Sequence, residues 1–259
     1  MTPLDSLPLL GVWLATFLFA AAVSLFSSGF AVFFERVATR FRIFDVEVPA
    51  DQLRHERRAY LRFLLLLATC ATPFLGLGWI RFGAEGPLAI AWTFAAIWTG
   101  FEIYYYALHR GLHTKPLYRF HAYHHESRVT TGWTGQSLSF VEALGWIAGL
   151  LVIPALLGLL TPLCWEGFLL YFVANTFVNV AGHANVELNP ISARSATWLA
   201  HPWLYHSLHH ARFRNHYSFA STFMDRLFGT EWKDWRELHG RVMAGDALPI
   251  LNERGASER

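Results

Sequence analysis

Histidine is concentrated in one part of this 259-residue chain, and its spacing there is suited to metal chemistry. Twelve of the 13 histidines follow residue 108. The motif H-x-x-x-H occurs at 109–113, and H-x-x-H-H occurs at 121–125 and again at 206–210. Residues three and four apart share one face of a helix, so the imidazoles of each motif converge. Chance predicts about 0.03 copies of H-x-x-H-H in a chain of this composition, whereas the sequence has two.

The chemistry expected of these motifs is the binding of two metal ions. Neutral imidazole is a good ligand for iron, zinc, copper and nickel. The three motifs together offer eight imidazoles, whereas a single ion takes about four to six ligands. The sequence therefore predicts a pair of ions rather than one.

A lone histidine, His183, ends a polar stripe that also contains Asn175, Asn179 and Glu187. These residues are spaced four apart and therefore follow one helix face. Polar groups within a membrane span are costly unless they line a site. We therefore expect His183 to bind metal rather than only to end a helix at the membrane surface, and Asn179 to line the pocket. Glu187 is a candidate ligand, a candidate hydrogen-bond acceptor or a surface charge.

Two polar side chains, Glu102 and Tyr106, precede His109 by two helical turns and one helical turn, respectively, on the same face. A carboxylate there is expected to orient a ligand histidine through its second ring nitrogen. The alternative is a structural glutamate paired with arginine. Glu142, near the start of a later apolar segment, is open to the same two interpretations.

Four histidines besides His183 lie outside the motifs. His216 follows the last motif closely and is a further candidate ligand. His201 precedes a proline and is expected to be structural. His55 lies in a charge-rich loop and is left out of the site, and His239 is expected at the surface.

The elements that must position these residues are membrane helices. Hydrophobic residues make up 54% of the chain and charged residues 15%, against about 25% charged in soluble domains. A span needs about 20 apolar residues, and the sequence predicts an all-α polytopic membrane protein with four to five spans, the fourth and fifth forming a hairpin. The predicted spans are 7–34, 59–80, 87–108, 138–160 and 163–181.

The basic residues predict the orientation of these spans. With the N-terminus outside, 20 of the 21 lysines and arginines lie on the inner side or at its edge, as the positive-inside rule requires. The histidine motifs are then cytosolic. The preference for arginine over lysine favours a bacterial inner membrane over the endoplasmic reticulum. The net charge of +2 gives no indication of nucleic-acid binding, and two cysteines exclude a disulfide framework.

The motifs together resemble the sterol desaturase and fatty acid hydroxylase superfamily of membrane di-iron oxygenases. The matching stretches are EIYYYALHRGLH at 102–113, HAYHHE at 121–126, GHANVE at 182–187, HSLHH at 206–210, NHYSF at 215–219 and DRLFGT at 225–230. The resemblance implies a helical membrane anchor with a cytosolic helical cap that holds two irons, for which zinc can substitute in purified protein. The implied ligands are His109, His113, His121, His124, His125, His183, His206, His209 and His210.

The resemblance also implies O2-dependent oxidation of an unactivated C–H bond in a lipid or sterol-like substrate. Electrons would come from a separate reductase, ferredoxin or haem protein. Hydroxylation is favoured, and desaturation of the same kind of lipid is the alternative. A metal transporter and a catalytically silent lipid-binding protein are alternatives from other classes.

Two departures from the superfamily pattern affect the expected site. Where many members have His-Pro-x-Glu, this chain has Ser139-Phe-Val-Glu142, and Glu187 occupies a position that is histidine in some members. We interpret residues 1–259 as one domain. Its core is expected at 90–235, with N-terminal membrane helices at 1–80 and a C-terminal tail at 236–259.

Overall fold

The computed structural model describes residues 2–189 and 197–258. Arg194 and Arg259, which count toward the predicted basic side, lie outside these ranges. The described residues contain nine α-helices joined by loops and short 3₁₀ turns, with isolated β-bridges but no extended strand. The helices are α1 (Leu9–Val37), α2 (Ala50–Gly76), α3 (Pro87–Leu112), α4 (Lys115–His121), α5 (Phe140–Leu160), α6 (Trp165–Ala181), α7 (Trp203–Arg212), α8 (Phe223–Phe228) and α9 (Trp235–Ala244).

The five long helices form one bundle. Helix α1 packs against α2 and α6, while α3 packs against α6 and α5, and α2 closes the bundle against α5. One large apolar core runs through it and includes Leu67, Phe101, Trp146 and Tyr171. The all-α prediction is therefore confirmed within the described residues.

Three of the described helices are long and apolar enough to cross a membrane: α1, α2 and α5. The other two predicted spans are also helical, but they differ from these three. Helix α3 carries Glu102 and ends in histidine and arginine, and α6 has only 17 residues, about 26 Å against a hydrocarbon core of about 30 Å. The count of four to five spans remains a prediction.

Local sequence explains where the helices bearing the site begin and end. Helix α3 starts with Pro87 after Gly86, whose φ is +92°, because proline is favoured in the first turn. Helix α5 is capped by the Ser139 hydroxyl, which accepts a hydrogen bond from the Glu142 amide. Helix α7 ends at Phe213, which adopts a left-handed conformation with φ +61°.

The C-terminal part of the chain is more ordered than predicted. Residues expected to form a tail after 235 instead include α9, whose Leu238 and Val242 are fully buried in a second core with α7. His239, expected at the surface, is buried because it lies on the same helix and faces the side chain of Glu187. The prediction for His239 was wrong because that helix packs against the rest of the chain.

Candidate metal centre

The nine histidines named by the motifs and by position 183 meet at one end of the bundle. Their candidate ligand atoms form two groups, and within each group these atoms lie within 4.8 Å of one another. Five histidines form what we call the first group: His109, His113, His121, His125 and His209. Four form the second group: His124, His183, His206 and His210.

The two groups are neighbours because each H-x-x-H-H motif contributes to both. In one motif, His124 belongs to the second group while its neighbour His125 belongs to the first, with ring centroids 5.8 Å apart. In the other, His209 and His210 divide in the same way, at 5.9 Å. A single helical turn therefore sends adjacent side chains to two adjacent sites.

In five of these histidines, the Nδ1 atom lies close to a backbone carbonyl oxygen, which can only accept a hydrogen bond. The Nδ1 atom of His109 lies 3.0 Å from the carbonyl oxygen of Tyr217, and that of His124 lies 3.2 Å from the carbonyl oxygen of Ser137. Such an oxygen can accept only an N–H, so Nδ1 carries the proton and Nε2 keeps its lone pair. The same arrangement holds for His183 with Asn179, His209 with Asn215 and His210 with Ser127.

One histidine is oriented by a carboxylate instead of a carbonyl. The Nδ1 atom of His121 lies 2.6 Å from Oε1 of Glu142, which also accepts a hydrogen bond from the indole of Trp146. Both His121 and Glu142 are almost fully buried. This contact matches the role that the sequence left open for Glu142, and it favours the same tautomer of the imidazole.

The geometry of the free Nε2 atoms fits a cation between them. In the first group, Nε2 of His125 lies 3.1 Å from Nε2 of both His121 and His209. Since His121 and His209 hold their protons on Nδ1, their Nε2 lone pairs both point at His125, whose single proton could satisfy only one of them. Metal–nitrogen bonds of about 2.1 Å place ligand atoms about 3 to 4 Å apart. The donor set therefore fits a metal ion better than hydrogen bonds alone.

The electrostatic surroundings keep these imidazoles neutral. Burial lowers the pKa of His124 to about 3 and the pKa values of His113 and His183 to about 4. Burial also lowers the pKa values of His206 and His209 well below the usual value. A neutral imidazole is the form that binds metal, so little proton competition is expected near pH 7.

The backbone at Gly135 packs closely against Asn179 and His183. A Cβ atom added at Gly135 would lie 2.9 Å from the Asn179 carbonyl oxygen and 3.1 Å from Nδ1 of His183. Asn179 also donates from its side-chain amide to the Gly135 carbonyl. Asn179 therefore lies in the site as expected, where it ties α6 to this loop.

Glu102 and Tyr106 lie near the site but do not contact a ligand histidine. Glu102 accepts a hydrogen bond from the Ala220 amide, and the hydroxyl of Tyr106 lies 2.9 Å from Oγ1 of Thr230. Both side chains therefore hold the 217–230 segment, whose Tyr217 carbonyl in turn orients His109. The expectation that Glu102 orients a ligand histidine is not matched by a hydrogen bond within the described residues.

Glu187 and His216, the two further candidate ligands, lie outside both groups. Glu187 accepts the amide hydrogens of Asn189 and Leu204, so it caps the start of α7, and burial raises its pKa to about 7. His216 lies within hydrogen-bonding distance of the Tyr205 carbonyl and the Trp232 amide. Both residues contact backbone groups instead, and neither belongs to a group of candidate ligands.

The structure also places the remaining histidines. His201 contacts the carbonyl oxygens of Pro202 and Phe219 and is structural, as expected. His55 stacks on Tyr123 and belongs to neither group. Of the contacts around the site, the backbone carbonyls that orient the histidines are what sequence reasoning missed, because every residue has one.

Comparison with known proteins assigns the chain to a family. The sequence model of the fatty acid hydroxylase family matches residues 94–230, more than half of the chain. The chain belongs to this family. The matched residues include all nine histidines of the two groups.

Three curated relatives of this fatty acid hydroxylase family member are plant proteins. Very-long-chain aldehyde decarbonylase GL1-6 of Oryza sativa is 36% identical over 153 residues, which cover 56% of this chain and 24% of the relative. Very-long-chain aldehyde decarbonylase CER1 of Arabidopsis thaliana is 37% identical over 146 residues, which cover 52% of this chain and 23% of the relative. Very-long-chain aldehyde decarbonylase GL1-4 of Oryza sativa is 30% identical over 222 residues, which cover 82% of this chain and 35% of the relative.

The chain thus spans about a quarter to a third of the length of the curated relatives it matches. No solved structure matches it.

Proposed function

We propose that this protein is a membrane-bound di-iron enzyme that uses O2 to oxidise a C–H bond of a lipid, with hydroxylation as the favoured outcome. The observation that carries the proposal is the pair of adjoining histidine groups, in each of which the candidate ligand atoms lie within 4.8 Å of one another. Membership of the fatty acid hydroxylase family supports iron as the metal and a lipid as the substrate.

Different residues of such a site bind the metals, orient the ligands and contact the substrate. The nine histidines hold two ions, while Glu142 and five backbone carbonyls fix the direction of six of the imidazoles. Two irons, when bound, supply the activation of O2, and the overall reaction also consumes two electrons and two protons. Aromatic side chains on one side of the site, Tyr105, Trp146 and Phe219, give it an apolar wall that excludes water and suits a lipid.

Electrons are proposed to come from a separate redox protein. His113 is only partly buried, whereas the other eight histidines of the two groups are buried. Lys115 and Arg119 follow His113 closely in the sequence and are exposed, which suits an acidic partner. This side of the protein carries most of the basic residues, so we place it in the cytosol, favouring a bacterial inner membrane.

The alternatives differ in what they require of the site. Desaturation needs the same metal centre and differs in the fate of a second hydrogen. Conversion of a long-chain aldehyde is a further candidate, because the relatives GL1-6 and CER1 are named aldehyde decarbonylases. Metal transport is less well supported, since both histidine groups lie at one end of the bundle. A silent lipid-binding protein would have no need of nine converging imidazoles.

The first experiment is to count metals per chain in protein purified from iron-replete cells. We expect two irons in the native protein and a loss of metal in His209→Ala, from the first group, and in His124→Ala, from the second. His55→Ala, outside both groups, is the matched control and should keep two. A well-folded native protein with one metal or none would overturn the proposal.

The second experiment identifies the product. Purified enzyme with O2 and a reducing system is incubated with long-chain lipids, and the products are analysed by mass spectrometry. Gain of one oxygen atom indicates hydroxylation, loss of two hydrogen atoms indicates desaturation, and a hydrocarbon one carbon shorter than an aldehyde substrate indicates the third reaction. Metal-loaded protein that leaves every class of lipid unchanged would contradict an enzymatic role.

A further inference from the structure

A small cavity reaches the histidines from inside the bundle. We call it the proximal cavity; its volume is about 40 Å³. His121, His124 and His183 line its metal end, and Phe63 and Phe101 line its sides. A substrate atom placed here would lie beside both histidine groups, because His121 belongs to the first and the other two belong to the second.

A larger cavity lies at the opposite end of the bundle. We call it the distal cavity; its volume is about 270 Å³. Its lining comes from the first half of α1, the second half of α2, the middle of α5 and the first half of α6. Among the lining residues are Ala15, Phe19, Ala71, Leu75, Leu151 and Leu169. An apolar cavity of about 150 Å³ already binds benzene, so this one can hold a substantial length of hydrocarbon.

The two cavities adjoin at three side chains near the middle of the bundle. Leu67 of α2, Leu150 of α5 and Phe172 of α6 line both of them. A straight chain that passes between these three side chains would lie along the bundle, with one end at the histidines. The small volume of the proximal cavity, about 40 Å³, suits an unbranched chain better than a fused ring system.

A polar collar separates the metal end of this path from its apolar part. It consists of Gln136, Asn175 and Thr176, all buried and all lining the proximal cavity. The Gln136 amide donates to the Ser24 hydroxyl, but its oxygen has no partner. A buried polar atom without a partner is costly, so a ligand that donates a hydrogen bond here would be stabilised.

The same linings limit the charge of the ligand. Among the described residues that line the two cavities, none is Lys, Arg, Asp or Glu. An ionised carboxylate would enter this path without a cation to pair with, and burying it would be strongly unfavourable. A neutral oxygen-bearing group, such as a hydroxyl, is compatible with the collar.

We propose that the joined cavities bind a single unbranched lipid chain, with its tail in the distal cavity and a neutral, hydrogen-bonding group at the Gln136 collar beside the metals. This proposal rests on the proposed function only for the statement that the bound chain is the substrate. The distal cavity then determines the length of chain that the protein accepts. Ala71 and Leu151 are the residues that set this limit.

Chain length is tested by binding, without turnover. Purified metal-loaded protein in detergent is titrated with a series of straight-chain primary alcohols, and the rise in Tm gives the relative affinity for each. Ala71→Phe narrows the distal cavity and should shorten the preferred chain, while Leu151→Ala enlarges it and should lengthen the preferred chain. Each methylene displaced from the cavity should weaken binding about fourfold.

Two controls keep the result interpretable. Val152 follows Leu151 on α5 but is 41% exposed on the outside of the bundle, so Val152→Ala should leave the length preference unchanged. Opposite shifts in the two cavity variants cannot arise from general destabilisation. Equal preferences in native protein, Ala71→Phe and Leu151→Ala would overturn the proposal.

The collar is tested with ligands that differ only in their oxygen. Native protein should bind an alcohol more tightly than the alkane or the ionised acid of equal chain length, and Gln136→Leu should reduce the preference for alcohol over alkane about fivefold. No preference for the alcohol in native protein would refute the collar. Because the readout is binding, length selection without oxidation would refute only the proposed enzyme activity, whereas oxidation without length selection would refute only this inference.

Discussion

Replacing Glu142 with glutamine should weaken one metal site and spare the other. Glu142 Oε1 lies 2.6 Å from Nδ1 of His121, a member of the first group, and both side chains are almost fully buried. A hydrogen bond to a carboxylate is roughly twice as strong as a neutral one. Glutamine keeps an acceptor oxygen of similar shape but lacks the negative charge that makes the imidazole a stronger ligand.

The magnitude follows from the kind of contact that is lost. Removing a group that orients a ligand histidine typically lowers metal affinity about 10- to 100-fold. Glu142→Gln keeps the shape of the side chain, so the affinity for metal should fall about tenfold, or about 1.4 kcal/mol. Glu142→Ala leaves the N–H groups of His121 and Trp146 without their acceptor, so the affinity for metal should fall about 100-fold. The second group has no contact with Glu142, so its metal should be retained.

The assay is a competition with a chelator. Iron-loaded protein is equilibrated with increasing chelator concentration, and the metal remaining per chain is counted by mass spectrometry. Glu142→Gln should release one metal at a lower chelator concentration than native protein and the other at an unchanged concentration. Glu166→Gln is a matched control, since Glu166 is exposed at the far end of α6. Parallel loss of both metals, or a curve identical to the native one, would refute this account of Glu142.

Three further predictions concern the loops and the protonation of the site. Gly135→Ala should lower the affinity of the second group for metal in the same chelator assay, because the added Cβ would lie 3.1 Å from Nδ1 of His183; an unchanged curve would show that the loop can yield. Asp234→Ala should destabilise the protein by about 3 to 5 kcal/mol in thermal unfolding, because it leaves the fully buried Arg212 without its bidentate partner; a loss below about 1 kcal/mol would contradict this. Metal-free protein should lose stability as the pH falls from about 6.5 to 4. In the folded protein the pKa values of His113 and His183 are lowered to about 4, so protons bind the unfolded chain more strongly over this range. Each histidine contributes up to about 1.4 kcal/mol per pH unit, and a Tm independent of pH over this range would contradict the prediction.

The histidines of the candidate centre could be proposed from the sequence because the signal is local. Helical spacing alone places three histidines of one H-x-x-H-H motif on one side of a turn, and the structure gathers all nine predicted nitrogens into two groups. The resemblance to the fatty acid hydroxylase superfamily is confirmed by the family match. How the motifs divide between the groups could not be predicted, because it depends on how α4 and α7 meet in space.

The contacts behind the histidines were predicted poorly. Glu102 shares a helix face with His109, and that proximity suggested a direct hydrogen bond. In the fold, Glu102 instead binds the Ala220 amide, and the carbonyl oxygen of Tyr217 takes the place expected for the carboxylate. Glu187 likewise caps α7 rather than facing a metal. Spacing along one helix cannot show which distant loop returns to fill the remaining space.

These loop carbonyls explain why the centre depends on the whole fold rather than on the motifs alone. Apart from the Asn179 carbonyl of α6, the orienting carbonyls belong to loops, and buried polar groups anchor such loops. Asp225, for example, accepts the amide hydrogens of Tyr217 and Ser218, and this fixes the carbonyl that faces His109. A substitution at Asp225, which touches no histidine, should therefore alter the first group through Tyr217. The direction of an imidazole, and with it the affinity for metal, is set by packing two contacts away from the metal.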